Sequence, residues 1–376
     1  MSHSDGTVFC DMPQAASILA VHQHIVTSGA RAVDVFELDG SLRLAIPQLA
    51  EDIAGQPPHM NGGNSDIDAK MFVWRDGGFV EDAPLALPGG EDIEYFTIDG
   101  RSYLATASLR TGRGPYDLNA QSVIYHRDAG AWKPFQSIAT FAAKQWRHFS
   151  FDGRHFLALA LGVTMDGLEV RHPATSRIYE WDGTRFAEFQ VLDGKWGYNW
   201  TFFELNGMRV LAYADHAGAS RLYRWDGAQF VVLQEIGERA GRAFAFFEAD
   251  GAHWLVYAPI VGETTLMRWD GDRFSARQSL GGDGGRELEI MTTSKGLFLV
   301  RICFIQGTPH DPKTALASQV YRWQSGAFQT IAEFPTTGGT DATAFRVDGE
   351  LFLAVSNGLS ADVRYRAETI IYRCAL

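Results

Sequence analysis

The chain has 376 residues with 33 Lys and Arg against 45 Asp and Glu, a formal net charge of -12. An acidic surface repels phosphate backbones, so nucleic acid and an anionic membrane are excluded as expected partners, and no apolar run is long enough for a membrane span. Cys10, Cys303 and Cys374 are few, odd in number and lack metal spacing. That usage predicts packed thiols and a reducing compartment, with a Cys10–Cys374 bridge conceivable only if the chain ends meet. The start shows no basic n-region or apolar h-region, so a cytoplasmic location is expected.

In chain order, one phrase recurs seven times: an aromatic, a turn three residues later, a small-residue strand with a central Leu, then a Tyr-x-Trp-type anchor. The strand leucines are Leu44, Leu104, Leu157, Leu211, Leu255, Leu299 and Leu353. The anchors are Trp74, His126, Trp181, Trp225, Trp269, Trp323 and Cys374, with matched spacing. Two markers in step at intervals in the forties to fifties make a repeat of the propeller or solenoid kind. The copies fall at about 29–86, 87–138, 139–192, 193–236, 237–280, 281–332 and 333–376, so a single domain spanning 1–376 is expected.

Each copy offers four strand patterns, A to D. In the fourth they are Trp200–Glu204, Met208–Ala214, Ser220–Trp225 and Gln229–Gln234. Asn206-Gly207 and Asp226-Gly227 read as two-residue hairpin turns. Four antiparallel strands repeated seven times predict an all-β, seven-bladed propeller. The last copy has no D strand after it, and Ala20–Ile25 reads as the missing one. Its Gln23 is aligned with Gln136, Gln190, Gln234, Gln278 and Gln329 at the ends of the other D strands. The segment 1–28 is thus expected to close the ring and cover its open edge.

The F-x-x-D-G, F-L-A and S-x-I-Y-x-W-x-G-x-F-x-x-x-Q elements resemble the epilepsy-associated repeat (EAR, or EPTP) of the leucine-rich glioma-inactivated proteins and some adhesion receptors. The resemblance covers nearly the whole chain. It implies a seven-bladed propeller that binds partner proteins, with metal at the channel.

The B–C connections are long in copies six, seven, one, two and three, and short in four and five. That face is expected to carry the function, because the A–B and C–D face has only tight turns. Counting back from the A-strand aromatic (Phe36 in copy one, Phe96 in copy two), position −2 holds Asp34, Glu94, Arg147, Thr201, Ala245, Glu289 and Thr343. Position −4 holds Ala32, Asp92, Gln145, Asn199, Ala243, Glu287 and Asp341. Acids gathered at one mouth call for a cation, basic partners or protonation. Calcium at Asp34, Asp92 and Asp341, with Glu94 in support, is one expectation; a water-lined channel paired with Arg147 is the other. No organic cofactor is predicted.

Trp146, Trp196, Tyr198 and Trp200, beside Arg147 and Asn199, form a candidate wall for a small molecule. Trp146 and Trp200 share one A-strand position and also suit packing between blades. Asp215, His216, His172 and His310 lie in upper loops and are the weak candidates for acid–base work. The leading expectation is a binding propeller that captures a small molecule or a partner protein. The alternative is a metal-assisted or acid–base enzyme (lyase, cyclase or hydrolase) in the channel mouth. A multivalent lectin would want the same upper-face residues in every blade, and these differ.

Overall fold

A computed structural model describes residues 18–163, 165–166, 169–170 and 175–376; the expectations for Cys10 and His172 lie outside these. Seven four-stranded antiparallel sheets stand in a ring, and no described residue is helical. Among the described residues no helix is therefore long and apolar enough to cross a membrane. The A strands are Asp34–Leu38, Gly90–Ile98, Ala143–Phe151, Gly197–Leu205, Gly241–Ala249, Gly285–Thr293 and Gly339–Val347. They are innermost and line a central channel. Fully buried Leu44, Leu157, Leu211, Leu255, Leu299 and Leu353 on the B strands pack into clusters shared between adjacent blades. The recurring Leu is thus the residue that glues one blade to the next.

The N-terminal strand Leu19–Ser28 pairs antiparallel with Arg366–Cys374 and forms the fourth strand of blade seven. Gln23 on this strand holds the backbone of blade one: its Nε2 donates to Phe79 O at 2.7 Å and its Oε1 accepts from Phe79 N at 2.8 Å. Gln136, Gln190, Gln234 and Gln278 make the same double bond to Phe186, Phe230, Phe274 and Phe328 of the following blades. A primary amide can mimic a peptide group in this way, offering one donor and one acceptor. Gln329 is not part of this girdle. It is exposed, one residue after Phe328, whereas the others stand four residues beyond the strand's first aromatic or Leu; Ala332 holds that place in blade six.

Asn206-Gly207 is a two-residue turn with positive φ at both residues. Asp226-Gly227 is not: the loop spans four residues, between Trp225 and Phe230. Asp226 Oδ1 accepts from Ala228 N and Gln229 N, so the side chain replaces the backbone turn. The same aspartate-capped loop recurs at Asp182 and Asp270.

Removing residues up to Ile25 should expose the edge of Arg366–Cys374, lower the melting temperature and promote aggregation. Gln23→Ala, which deletes only the amide pair, should cost about 1–2 kcal/mol. Thermal melts with light scattering check both, and a truncated chain that melts like the intact one overturns the closure.

Candidate functional site

The inner edge of each A strand faces the channel with no neighbouring strand, so its N–H groups need other acceptors. Side chains of the preceding blade supply them by one rule. A residue at −4 accepts from the N–H at −3 of the next blade, and a residue at −2 accepts from the N–H at −1. Asp92 accepts from Trp146 N, Gln145 from Trp200 N and Asp341 from Val33 N, at 2.8, 2.5 and 2.8 Å. Asp34 accepts from Tyr95 N, Glu94 from His148 N and Glu289 from Ala344 N, at 2.9, 2.8 and 2.9 Å. Five of the six channel carboxylates are therefore clamps between blades; Glu287 accepts instead from Leu288 N beside it.

Burial pushes these acids up. Asp34 reaches about 7, helped by nearby Glu94, and Glu289 about 8. Asp92, Glu94, Glu287 and Asp341 also rise, all chiefly from burial. Arg147 sits among them, 3.2 Å from Glu94, which strengthens its hold on its proton. Asn199 Nδ2 reaches across the channel to Glu287 at 3.3 Å. Asp34, Asp92 and Asp341 do not form a ready cation cage: among the described residues no three His, Cys, Asp or Glu could together hold a metal ion.

The uppermost tier is not acidic. In blades two to seven a β-bulge falls between positions −6 and −4, for example between Gly241 and Ala243 or Gly285 and Glu287. A bulge adds an unpaired residue and re-aims its side chain. The −5 residues Glu91, Lys144, Tyr198, Arg242 and Arg286, with Arg31 of blade one, consequently line the channel mouth. Strict strand alternation pointed them away from it. The available signal was glycine at −6 in five copies: Gly90, Gly197, Gly241, Gly285 and Gly339. A Cβ on Gly241 would stand 2.2 Å from Ser220 Oγ, too close for any side chain.

Above this ring lies a cavity of about 450 Å³ that brings Trp196, Tyr198 and His216 together. The Trp196 and His216 rings meet edge-on at 4.8 Å. His216 Nδ1 accepts from Arg242 at 2.8 Å, since a guanidinium can only donate. Burial and the Arg242 charge push His216 down to about 3, so it is neutral. Burial disfavours a charge on Glu91, yet Lys144, Arg31 and Arg286 outweigh it and hold its carboxyl low. Asp215 is buried, and its carboxylate accepts from Lys195 N, Trp196 N, Ala217 N and Gly218 N, fixing the loop that carries Trp196. Trp146 and Trp200 are fully buried between blades, away from the cavity. His310 lies on the exposed turn that joins two short strands of the blade-six B–C connection, Gln306–Thr308 and Asp311–Lys313.

Glu289→Gln keeps an acceptor for Ala344 N but removes the titration. A carboxyl raised in the folded state stabilises it below the unfolded value and loses that contribution as pH rises through the folded one. Wild type should therefore lose about 1–3 kcal/mol relative to the variant between pH of about 4.5 and 8. Urea unfolding across that window checks it, and a difference independent of pH contradicts a raised Glu289.

Comparison with known proteins agrees with this architecture. Residues 133–182, 185–226, 229–270 and 327–373 match the EPTP domain family. The chain is 29% identical over 200 residues to the human thrombospondin-type laminin G domain and EAR repeat-containing protein, a match covering 52% of this chain and 26% of that protein. The mouse protein of the same name is 29% identical over 162 residues, covering 40% of this chain and 22% of the relative. The chain thus spans about a quarter of the length of these curated relatives. With the repeat phrase, the ring of seven sheets and these matches in agreement, the chain is a seven-bladed β-propeller that carries EPTP repeats over the matched segments.

Proposed function

We propose that this propeller is a binding module whose upper face, formed by the B–C and D–A loops, captures a small molecule or a segment of a partner protein. The cavity above the channel mouth carries this reading: it is concave, of ligand size, and walled by Trp196, Tyr198, Phe304 and Ile260 with charged groups at its floor. EPTP propellers are consistent with a binding or protein-interaction role. The acids an enzyme would need are already engaged. Asp215 and the channel carboxylates accept backbone N–H groups, and His216 is tied to Arg242, which favours capture over acid–base chemistry.

A thermal-shift screen of small molecules and peptides tests the face. Compounds that stabilise wild type should lose their effect by at least about tenfold in Trp196→Ala and keep it in Ala228→Lys, on the opposite face. The reverse pattern in folded variants refutes the assignment.

Calcium bound by Asp34, Asp92, Asp341 and Glu94 would have to compete with the N–H groups these carboxylates accept. A melting temperature that climbs with free calcium, and does so less in Asp92→Asn, supports such a site. Superimposable curves with calcium and with chelator, in both proteins, rule it out.

A further inference from the structure

We propose that the upper cavity takes a small organic anion, its carboxylate or phosphate group held by Arg242 and Arg286 and its apolar body lying against Leu49, Ile260 and Phe304. This rests on the reading of the upper face as the binding face.

The charges around the cavity do not balance. Among the described residues, Arg31, Arg110, Lys144, Arg242 and Arg286 line it against a single carboxylate, Glu91. Glu91 is already taken, with Lys144 Nζ at 3.1 Å and Arg31 Nε at 3.6 Å. Arg110 is spent on the blade-one loop, where it donates to Ser65 Oγ and to the carbonyls of Asn61 and Gly62. Arg242 and Arg286 remain, and neither forms an ion pair with a carboxylate among the described residues. Arg242 is only 5% exposed, and its Nε is buried with no acceptor. The indole Nε1 of Trp196, on the same cavity, also lacks one.

What holds these cations together is a ring. The Arg242 guanidinium lies 3.7 Å from the centre of Tyr198, with Arg286 at 5.2 Å and Lys144 Nζ at 5.3 Å. Cation–π attraction tolerates such crowding but does not neutralise it. A buried guanidinium without a counter-charge destabilises the fold, and burial brings Arg242 down to about 10. Planar guanidinium forks match the two oxygens of a carboxylate or phosphate. The apolar wall above explains why the ion should be organic: a bare inorganic anion would leave that wall unfilled.

Calorimetry with benzoate, phenyl phosphate, inorganic phosphate and neutral benzamide tests the proposal on the intact chain. Benzoate or phenyl phosphate should bind, more weakly as salt rises, while benzamide should not and inorganic phosphate should bind at least about tenfold more weakly than its phenyl ester. Whichever aryl anion is tighter identifies the head group. Arg242→Met and Arg286→Gln should each weaken binding at least about tenfold. Arg242→Met should also raise the melting temperature of the free protein, because it removes an uncompensated buried charge. A purely structural Arg242 would give the opposite shift. Benzamide binding as well as benzoate would overturn the anion proposal and leave the cavity reading standing. Binding unaffected by Arg242→Met and Arg286→Gln but lost in Ala228→Lys would remove both, and absence of any aryl-anion binding at millimolar concentration would refute the anion site.

Discussion

Seven sheets arranged around a channel turn seven inner edges toward the same narrow space. Each edge presents N–H groups that no strand can satisfy. The bonds from Asp92 to Trp146, from Gln145 to Trp200 and from Asp341 to Val33 answer this constraint, as do the −2 bonds of Asp34, Glu94 and Glu289. Thr201 and Thr343 serve the complementary groups, donating to Phe244 O and Val33 O. Carboxylates are good clamps because they accept strongly, but crowding and burial then raise their pKa values. Arg147 offsets part of that repulsion. The acidity of the channel is thus first a property of how the blades are joined.

The second determinant is one residue thick. Without the bulge, the −5 side chains would face the blade interior, where Arg242 or Lys144 would have no place. The bulge turns them into the mouth and stacks a cationic tier on an acidic one. Glycine at −6 accompanies it in five of the six bulged blades, where the strand start runs against the preceding blade: a Cβ on Gly285 would lie 2.8 Å from Pro259 O, and one on Gly339 at the same distance from Cys303 O; blade three makes the bulge with Ala143. Local backbone irregularity, repeated around the ring, sets the electrostatics of the whole upper face.

Much of the architecture was legible because it repeats. The B-strand leucines, the Gln23 class and the A-strand register each recur with a constant offset, and their partners recur likewise. Gln329 was misplaced because proximity to a strand end was used where the offset of four residues decides. The hairpin reading of Asp226-Gly227 failed where a side chain competes with the backbone for the same N–H groups. The site was less legible. Inward acids at −2 and −4 follow from alternation, but their N–H partners sit on the next blade, so their clamping role requires the assembled ring. Arg242 and Arg286 were missed because a period of two carries no record of a bulge, although the −6 glycines do.

The cavity forms where the repeat departs from itself. At −7, six blades have Gly or Ala with positive φ: Gly29, Gly89, Ala142, Ala240, Gly284 and Gly338. In every blade this residue's carbonyl accepts from the start of its own B–C loop, as Ala240 O does from Ile260 N. Blade four keeps that bond, from His216 N to Trp196 O, but puts a tryptophan there in ordinary backbone geometry. Asp215 makes this possible by accepting Trp196 N and Lys195 N. Blades four and five also have the short connections, residues 216–219 and 260–263, against 47–69 in blade one. The roof is therefore lowest beside Trp196, Arg242 and Ile260. A ligand entering there would meet the aromatic wall of Trp196 and the Arg242 guanidinium, so the break in symmetry falls at the cationic side of the cavity.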